Sequence, residues 1–236
     1  MIIETERLIL RPFVEEDAGD VFEYLHHPAV HCFACMELKD LESAKAEMKN
    51  RIGETEYYFA ITLKDSGKVI GEIDGYPETG EPHDDPDDDT VRKDTFSPCW
   101  MLNSAYQGKG YAYEAAYAFF DYLFTQKCAR RIYAYTEDYN RSSRHLCEKL
   151  GMRREGEFIE FVSFVNGPDG SPLYETTMQY AILKREWEAK KRAVPEKKNS
   201  RVTLAPLTDD DREQFILDNQ YAFKVRDQRG FSSERR

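Results

Sequence analysis

Apolar positions along this chain switch between a period of two and a period near 3.6, so strands and helices are expected to alternate. Residues 6–13 (Glu-Arg-Leu-Ile-Leu-Arg-Pro-Phe) predict a first strand ended by Pro12. Val14, Ala18, Val21, Phe22 and Leu25 share one face of a helix over 15–25. Asp40 is a helix N-cap, with Leu41, Ala44, Met48 and Ile52 carrying that helix to Gly53. Residues 57–63 and 68–73 predict strands joined by the hairpin signal Lys64-Asp65-Ser66-Gly67. A central strand is expected over 96–102, a long helix over 109–127 and a strand over 131–136. A helix over 140–150 ends at Gly151, and long strands follow over 154–165 and 173–183. Residues 184–198 predict a charged tail helix and then a linker, interrupted by Pro195. This order predicts an α/β sheet with helices on both faces.

The length of 236 residues suffices for one well-cored domain with something left over. No apolar run approaches the ~20 residues that span a bilayer, and Met1-Ile2-Ile3-Glu4 lacks a signal-peptide pattern. A cytoplasmic protein is expected. The net charge of −11 argues against nucleic acid and anionic membranes as partners. It suits a cationic acceptor such as an amine, although solubility alone also accounts for it. Five cysteines fit a reducing compartment. Cys32-Phe33-Ala34-Cys35 follows His26, His27 and His31, but the adjacent pair His26 and His27 is a poor start for a tetrahedral site, so no metal is expected. Asp84, Asp85, Asp87, Asp88 and Asp89 make an acidic loop that stays solvated.

The chemistry concentrates at Gln107-Gly108-Lys109-Gly110-Tyr111-Ala112, between the predicted central strand and the long helix. A strand, a glycine turn and a helix start together offer unpaired N–H groups and the positive end of a helix dipole to a pyrophosphate. The spacing completes neither G-x-x-x-x-G-K-[ST] nor G-x-G-x-x-G. It does complete [QR]-x-x-G-x-[GA], on Gln107, Gly110 and Ala112. That pattern resembles the acyl-CoA loop of the GNAT acetyltransferase superfamily.

Other segments resemble the RimJ/RimL-type branch of that superfamily, which includes ribosomal-protein N-terminal acetyltransferases. Thr5-Glu6-Arg7-Leu8-Ile9-Leu10-Arg11 matches "TERLxLR", and His27-Pro28-Ala29-Val30 stands at "DPEV". Residues 106–115 match "xWGKGYATEA", and Asn140-Arg141-Ser142-Ser143 with Glu148-Lys149-Leu150-Gly151-Met152 matches "NxxS…EKLGF". The resemblance covers residues 2–190. It implies a GNAT fold, a central mixed and mostly antiparallel twisted sheet flanked by helices on both faces. It also implies acetyl transfer from acetyl-CoA, as co-substrate, to a primary amine by direct attack. Gln107, Gly108, Lys109, Gly110, Tyr111 and Ala112 would bind the pyrophosphate through backbone N–H groups. Met101, Leu102 and Asn103 would align the pantetheine like an added strand, and Asn140 would contact the cofactor near its thiol.

Two positions depart from the pattern. The tyrosine of "LYEKLGF" is Cys147 here, so the proton donor to the leaving thiolate is expected to be Ser143, one helical turn earlier, with Cys147 a spectator. The glutamate of "EIGYWL" is absent from Phe96-Ser97-Pro98-Cys99-Trp100-Met101-Leu102. Glu72 and Asp74 share a strand face and are the expected bases, acting through water, although each reads equally as a solvated strand residue. Glu137 is a weaker candidate, and a water chain with no dedicated base is also chemically sufficient. The missing glutamate keeps a non-catalytic acyl-CoA-binding module as an alternative. The acceptor stays open among a protein N-terminus, a polyamine, another small amine and an aminoglycoside, and so does monomer against homodimer.

Residues 201–211 repeat residues 7–17 at a constant offset, with four identities: Arg7 with Arg201, Leu10 with Leu204, Pro12 with Pro206 and Asp17 with Asp211. The expected organisation is a GNAT domain over 1–190, a linker over 191–200 and, over 201–236, a partial repeat of the first strand and helix. That repeat reads as a truncated second domain, an assembly arm or a chance likeness.

Overall fold

The structure, a computed structural model, describes residues 1–78 and 92–193. The acidic run at 84–89, most of the expected linker and the repeat at 201–236 lie outside the described residues. Two five-stranded sheets carry the fold. The first runs in the order β1 (Ile3–Glu4), β2 (Leu8–Arg11), β3 (Tyr58–Leu63), β4 (Val69–Asp74), β7 (Cys99–Leu102), with every neighbour antiparallel. The second runs β5 (Pro77–Glu78), β6 (Thr95–Phe96), β8 (Arg131–Glu137), β10 (Pro172–Leu183), β9 (Arg153–Asn166). Only its β6–β8 pair is parallel.

Among the described residues the α-helices are α1 (Ala18–Leu25), α2 (Leu41–Arg51), α3 (Tyr111–Thr125), α4 (Arg141–Leu150) and α5 (Lys184–Ala193). Asp40 caps α2 as expected, its Oδ1 accepting from Ser43 N at 2.8 Å. Helix α3 buries Ala115, Ala116, Phe119, Phe120 and Leu123 against Leu8, Leu10, Phe59, Ile61 and Ile73 of the first sheet. On the opposite face, Val21 and Leu25 of α1 and Met48 of α2 pack with Ala60, Val69 and Met101. The sheet is therefore covered on both faces. Each large buried side chain there contributes about 1.5–3 kcal/mol of hydrophobic stabilisation. Among the described residues no helix is long and apolar enough to cross a membrane.

The strand expected over 96–102 is two strands, one in each sheet. Pro98 has no N–H to donate, so Ser97-Pro98 interrupts the ladder. Residues 95–96 pair with β8 before this break, and residues 99–102 pair with β4 after it. Strand β7 is the last strand of its sheet, so a wedge opens between β7 and β8. Two further expectations shift at their ends. The helix expected from residue 15 begins as a 3-10 turn over Glu15–Asp17, and α5 runs three residues into the expected linker.

Candidate active site

The wedge holds a cleft of about 660 Å3. One end is the turn into α3. Gly108 and Gly110 have φ of 74° and 84°, the left-handed region that glycine enters without a Cβ penalty. Gly110 is the N-cap of α3, and no side chain caps that helix. The first N–H groups of α3 therefore face the cleft unclaimed by any side chain, with the dipole adding positive potential. Gln107, Gly108, Gly110, Tyr111 and Ala112 line the cleft. Lys109 does not. Its Nζ folds back to the Ala105 carbonyl at 3.2 Å, above the Tyr106 ring.

Arg7 braces this turn from behind. Its Nη1 donates to the Lys109 carbonyl at 3.0 Å, and its Nε donates to Glu114 Oε2 at 2.7 Å. Glu114 Oε1 also accepts from Thr5 Oγ1 at 2.6 Å and from the Arg7 backbone N–H at 2.7 Å. These donors hold the Glu114 carboxyl below its ordinary value, although burial works the other way. The opening motif and the glycine loop, 102 residues apart at the Arg7–Lys109 contact, are thus parts of one structure. Chain order hides that contact, although both segments carry the family resemblance.

The second wall is the open edge of β7. Asn103 N–H donates to the Ile70 carbonyl at 2.8 Å, toward β4. In an antiparallel ladder, inward and outward groups alternate, so Met101 also turns its backbone inward. Trp100 and Leu102 direct theirs to the wedge. Of the three expected strand residues, Leu102 therefore offers its backbone, Met101 lines the cleft with its side chain and Asn103 is buried away from it. The Asn103 side chain serves the following turn, Oδ1 accepting from Ala105 N at 3.0 Å.

Ser143 and Asn140 line the cleft on the α4 side. Asn140 caps α4 through Oδ1, which accepts from Ser143 N at 3.1 Å. Trp100 Nε1 lies 3.2 Å from Ser143 Oγ. An indole N–H only donates, so Oγ accepts and its own proton is left to point elsewhere. Cys147 lies fully buried in the core, where burial pushes its thiol up to about 12.

Glu72 and Asp74 share a strand face, but neither lines the cleft. Glu72 is buried, and its carboxylate is already engaged. Oε2 accepts from Tyr24 OH at 2.7 Å and pairs with the buried Arg51 guanidinium, while Oε1 accepts from Tyr58 OH at 2.9 Å. Asp74 is half-buried opposite Cys99, which does line the cleft. Burial, with the Glu72 charge adding to it, pushes the Asp74 carboxyl up to about 7. Glu137, at the end of β8, is buried and lines the cleft. Burial raises its carboxyl above the ordinary value, the Glu175 charge adds to this, and a hydrogen bond from the Cys32 thiol opposes it. Among the described residues no group of three His, Cys, Asp or Glu side chains could hold a metal ion.

Sequence comparison places this geometry among known proteins. The family described as Acetyltransferase (GNAT) domain matches residues 7–153. The Bacillus subtilis (strain 168) protein described as uncharacterized N-acetyltransferase YnaD is 33% identical over 187 residues, covering 79% of this chain and 99% of that protein. The crystal structure of a GNAT-family acetyltransferase from Bacillus anthracis superposes with a TM-score of 0.64 at 30% identity, covering 79% of this chain and all of that one. The ribosomal-protein-S5-alanine acetyltransferase from Vibrio fischeri superposes with a TM-score of 0.58 at 21% identity, covering 79% and 98%. At that identity it speaks for the fold alone.

Proposed function

Because the chain belongs to the GNAT acetyltransferase family and is an N-acetyltransferase, we propose that its cleft moves an acetyl group from acetyl-CoA to a primary amine. The observation that carries this reading is one cleft joining a helix N-terminus without a side-chain cap to an unpaired strand edge. The N–H groups from Gly108 to Ala112 suit a pyrophosphate, with Arg7 holding the loop in place. The outward backbone of Trp100 and Leu102 suits the two amides of a pantetheine arm laid down like an added strand. Asn140, on the α4 side of the same cleft, suits the thiol end.

Bound there, acetyl-CoA supplies an activated acyl carbon and a thiolate leaving group. Asp74 takes a proton from the acceptor ammonium through water on the Cys99 side, since a carboxylate tuned to about 7 is half ionised near neutral pH. The free amine forms the new C–N bond and the C–S bond breaks. Ser143, which accepts from Trp100 and so keeps its own proton free, gives that proton to the departing sulfur. The proton lost by the new amide nitrogen restores Ser143 through solvent. Glu72, locked between Arg51 and two tyrosines, holds β4 to α1 and α2 and takes no part in proton transfer.

Thiol release across free-N-terminus peptides, polyamines, aminoglycosides and amino acids tests the reading, with Gly110→Trp as the blocked-loop control. Release that disappears in the control supports it. Calorimetric binding of acetyl-CoA with no release from any amine supports the binding-module alternative. Absence of acetyl-CoA binding overturns the assignment of the cleft.

A further inference from the structure

Three polar groups share one face of the second sheet and are buried and incompletely used; Glu137 lines the cleft, and Glu175 and Thr177 lie behind it without lining it. Glu137 is 5% exposed and lines the cleft. Thr177 of β10 lies directly opposite it in the β8–β10 ladder. Glu175 is two residues back along β10, hence on the same face, as a diagonal neighbour with a Cα separation of about 7–8 Å. Glu175 is 7% exposed. Its Oε1 meets His31 Nδ1, but its Oε2 is buried with no hydrogen-bond partner among the described residues, and so is Thr177 Oγ1. Two orphaned polar atoms two residues apart on one strand are unusual, because buried polar atoms are nearly always paired.

We infer that Glu137, Glu175 and Thr177 form a subsite for a second cationic group on the acceptor, separate from the amine that is acetylated. An ammonium has three N–H donors, and this corner offers the Glu137 carboxylate, Glu175 Oε2 and Thr177 Oγ1. Two carboxylates that hold an ammonium stabilise its charged form, which cannot attack a thioester. The group bound here is therefore not the nucleophile. Among the described residues the basic side chain found against Glu175 is the His31 imidazole, and it occupies only Oε1. Phe33, Tyr135 and Phe164 line the same cleft and suit the methylenes between two nitrogens. The inference rests on the acetyl-transfer reading and narrows its acceptors to amines with a second positive charge a few carbons away. A peptide N-terminus offers a neutral amide at that distance.

Calorimetric titration of diaminobutane and of butylamine into the full chain saturated with CoA tests the subsite, with thiol release measured in parallel. Diaminobutane is expected to bind at least tenfold more tightly than butylamine. That ratio is expected to fall toward one in Glu175→Gln and to shrink in Thr177→Val, a near-isosteric change that spares the fold. Thermal melts confirm that the variants are folded. Equal affinity of the parent for the two amines overturns the subsite, and so does a preference that survives both substitutions, which leaves the orphaned atoms to buried water. Equal binding with normal thiol release sinks the subsite and leaves acetyl transfer standing. Selective binding of diaminobutane without release does the reverse.

Discussion

The Arg7 guanidinium holds the Lys109 carbonyl at 3.0 Å and thereby aims the next peptide N–H. In a trans peptide the carbonyl and the following N–H point in opposite directions, so pinning the Lys109 oxygen on the Arg7 side turns the Gly110 N–H toward the cleft that Gly110 lines. Arg7→Ala is expected to raise the KM for acetyl-CoA about tenfold, the scale of one charge-assisted hydrogen bond, with little change in kcat. Arg7→Lys restores only part of this, because an ammonium lacks the fork that spans Glu114 and Lys109 together. A kcat loss with unchanged KM would remove Arg7 from cofactor positioning.

Trp100 and Ser143 set the second prediction. Ser143→Ala is expected to lower kcat by about a hundredfold, the lower range for a positioned proton donor. Acetyl-CoA affinity by calorimetry is retained. Trp100→Phe removes the donor to Oγ and lets the serine proton turn away, so it lowers kcat less and in the same direction. Full activity in Ser143→Ala assigns protonation of the thiolate to water.

Asp74 predicts opposite effects on activity and stability. Its carboxyl rises from 3.8 to about 7 on folding. Below about pH 4 the folded and unfolded chains both hold the proton. Between about 4 and 7 only the folded chain holds it, so this group's contribution to stability falls as pH rises through that window. Asp74→Asn is therefore expected to raise the melting temperature at pH 8, by a free energy of up to about 4 kcal/mol. The same change removes the limb of kcat/KM that rises through about pH 7. A pH–rate profile with the limb intact would clear Asp74 of the base role.

Glu72 predicts a loss of stability. Glu72→Gln leaves the Arg51 guanidinium, 2% exposed, with only the part-exposed Glu47 as counter-charge. A broken buried pair costs about 3–5 kcal/mol, and replacing both partners with methionine costs less. Urea denaturation of Glu72→Gln and of the Arg51→Met, Glu72→Met double variant checks the order. Catalytic loss in folded Glu72→Gln that exceeds its destabilisation would return Glu72 to the chemistry.

The sequence by itself determined the elements and the glycine-turn end of the cleft, because both are written in short segments. Periodicity placed α2 behind Asp40 and a long helix over 109–127, two residues longer at each end than α3, and the glycine turn followed from residues 107–112 alone. The acceptor end was not legible in this way. Glu72 and Asp74 are two residues apart on one strand and read alike, yet Arg51 from α2 neutralises one and burial tunes the other. Residues 96–102 read as one strand, and tertiary pairing made Pro98 the point where two sheets part. Glu137 and Thr177 stand opposite each other only through the β8–β10 register, and His31 reaches Glu175 across 144 residues. Local patterns fix backbone conformation. The charge state of a carboxylate depends on what packs over it, and in this cleft those neighbours come from distant parts of the chain.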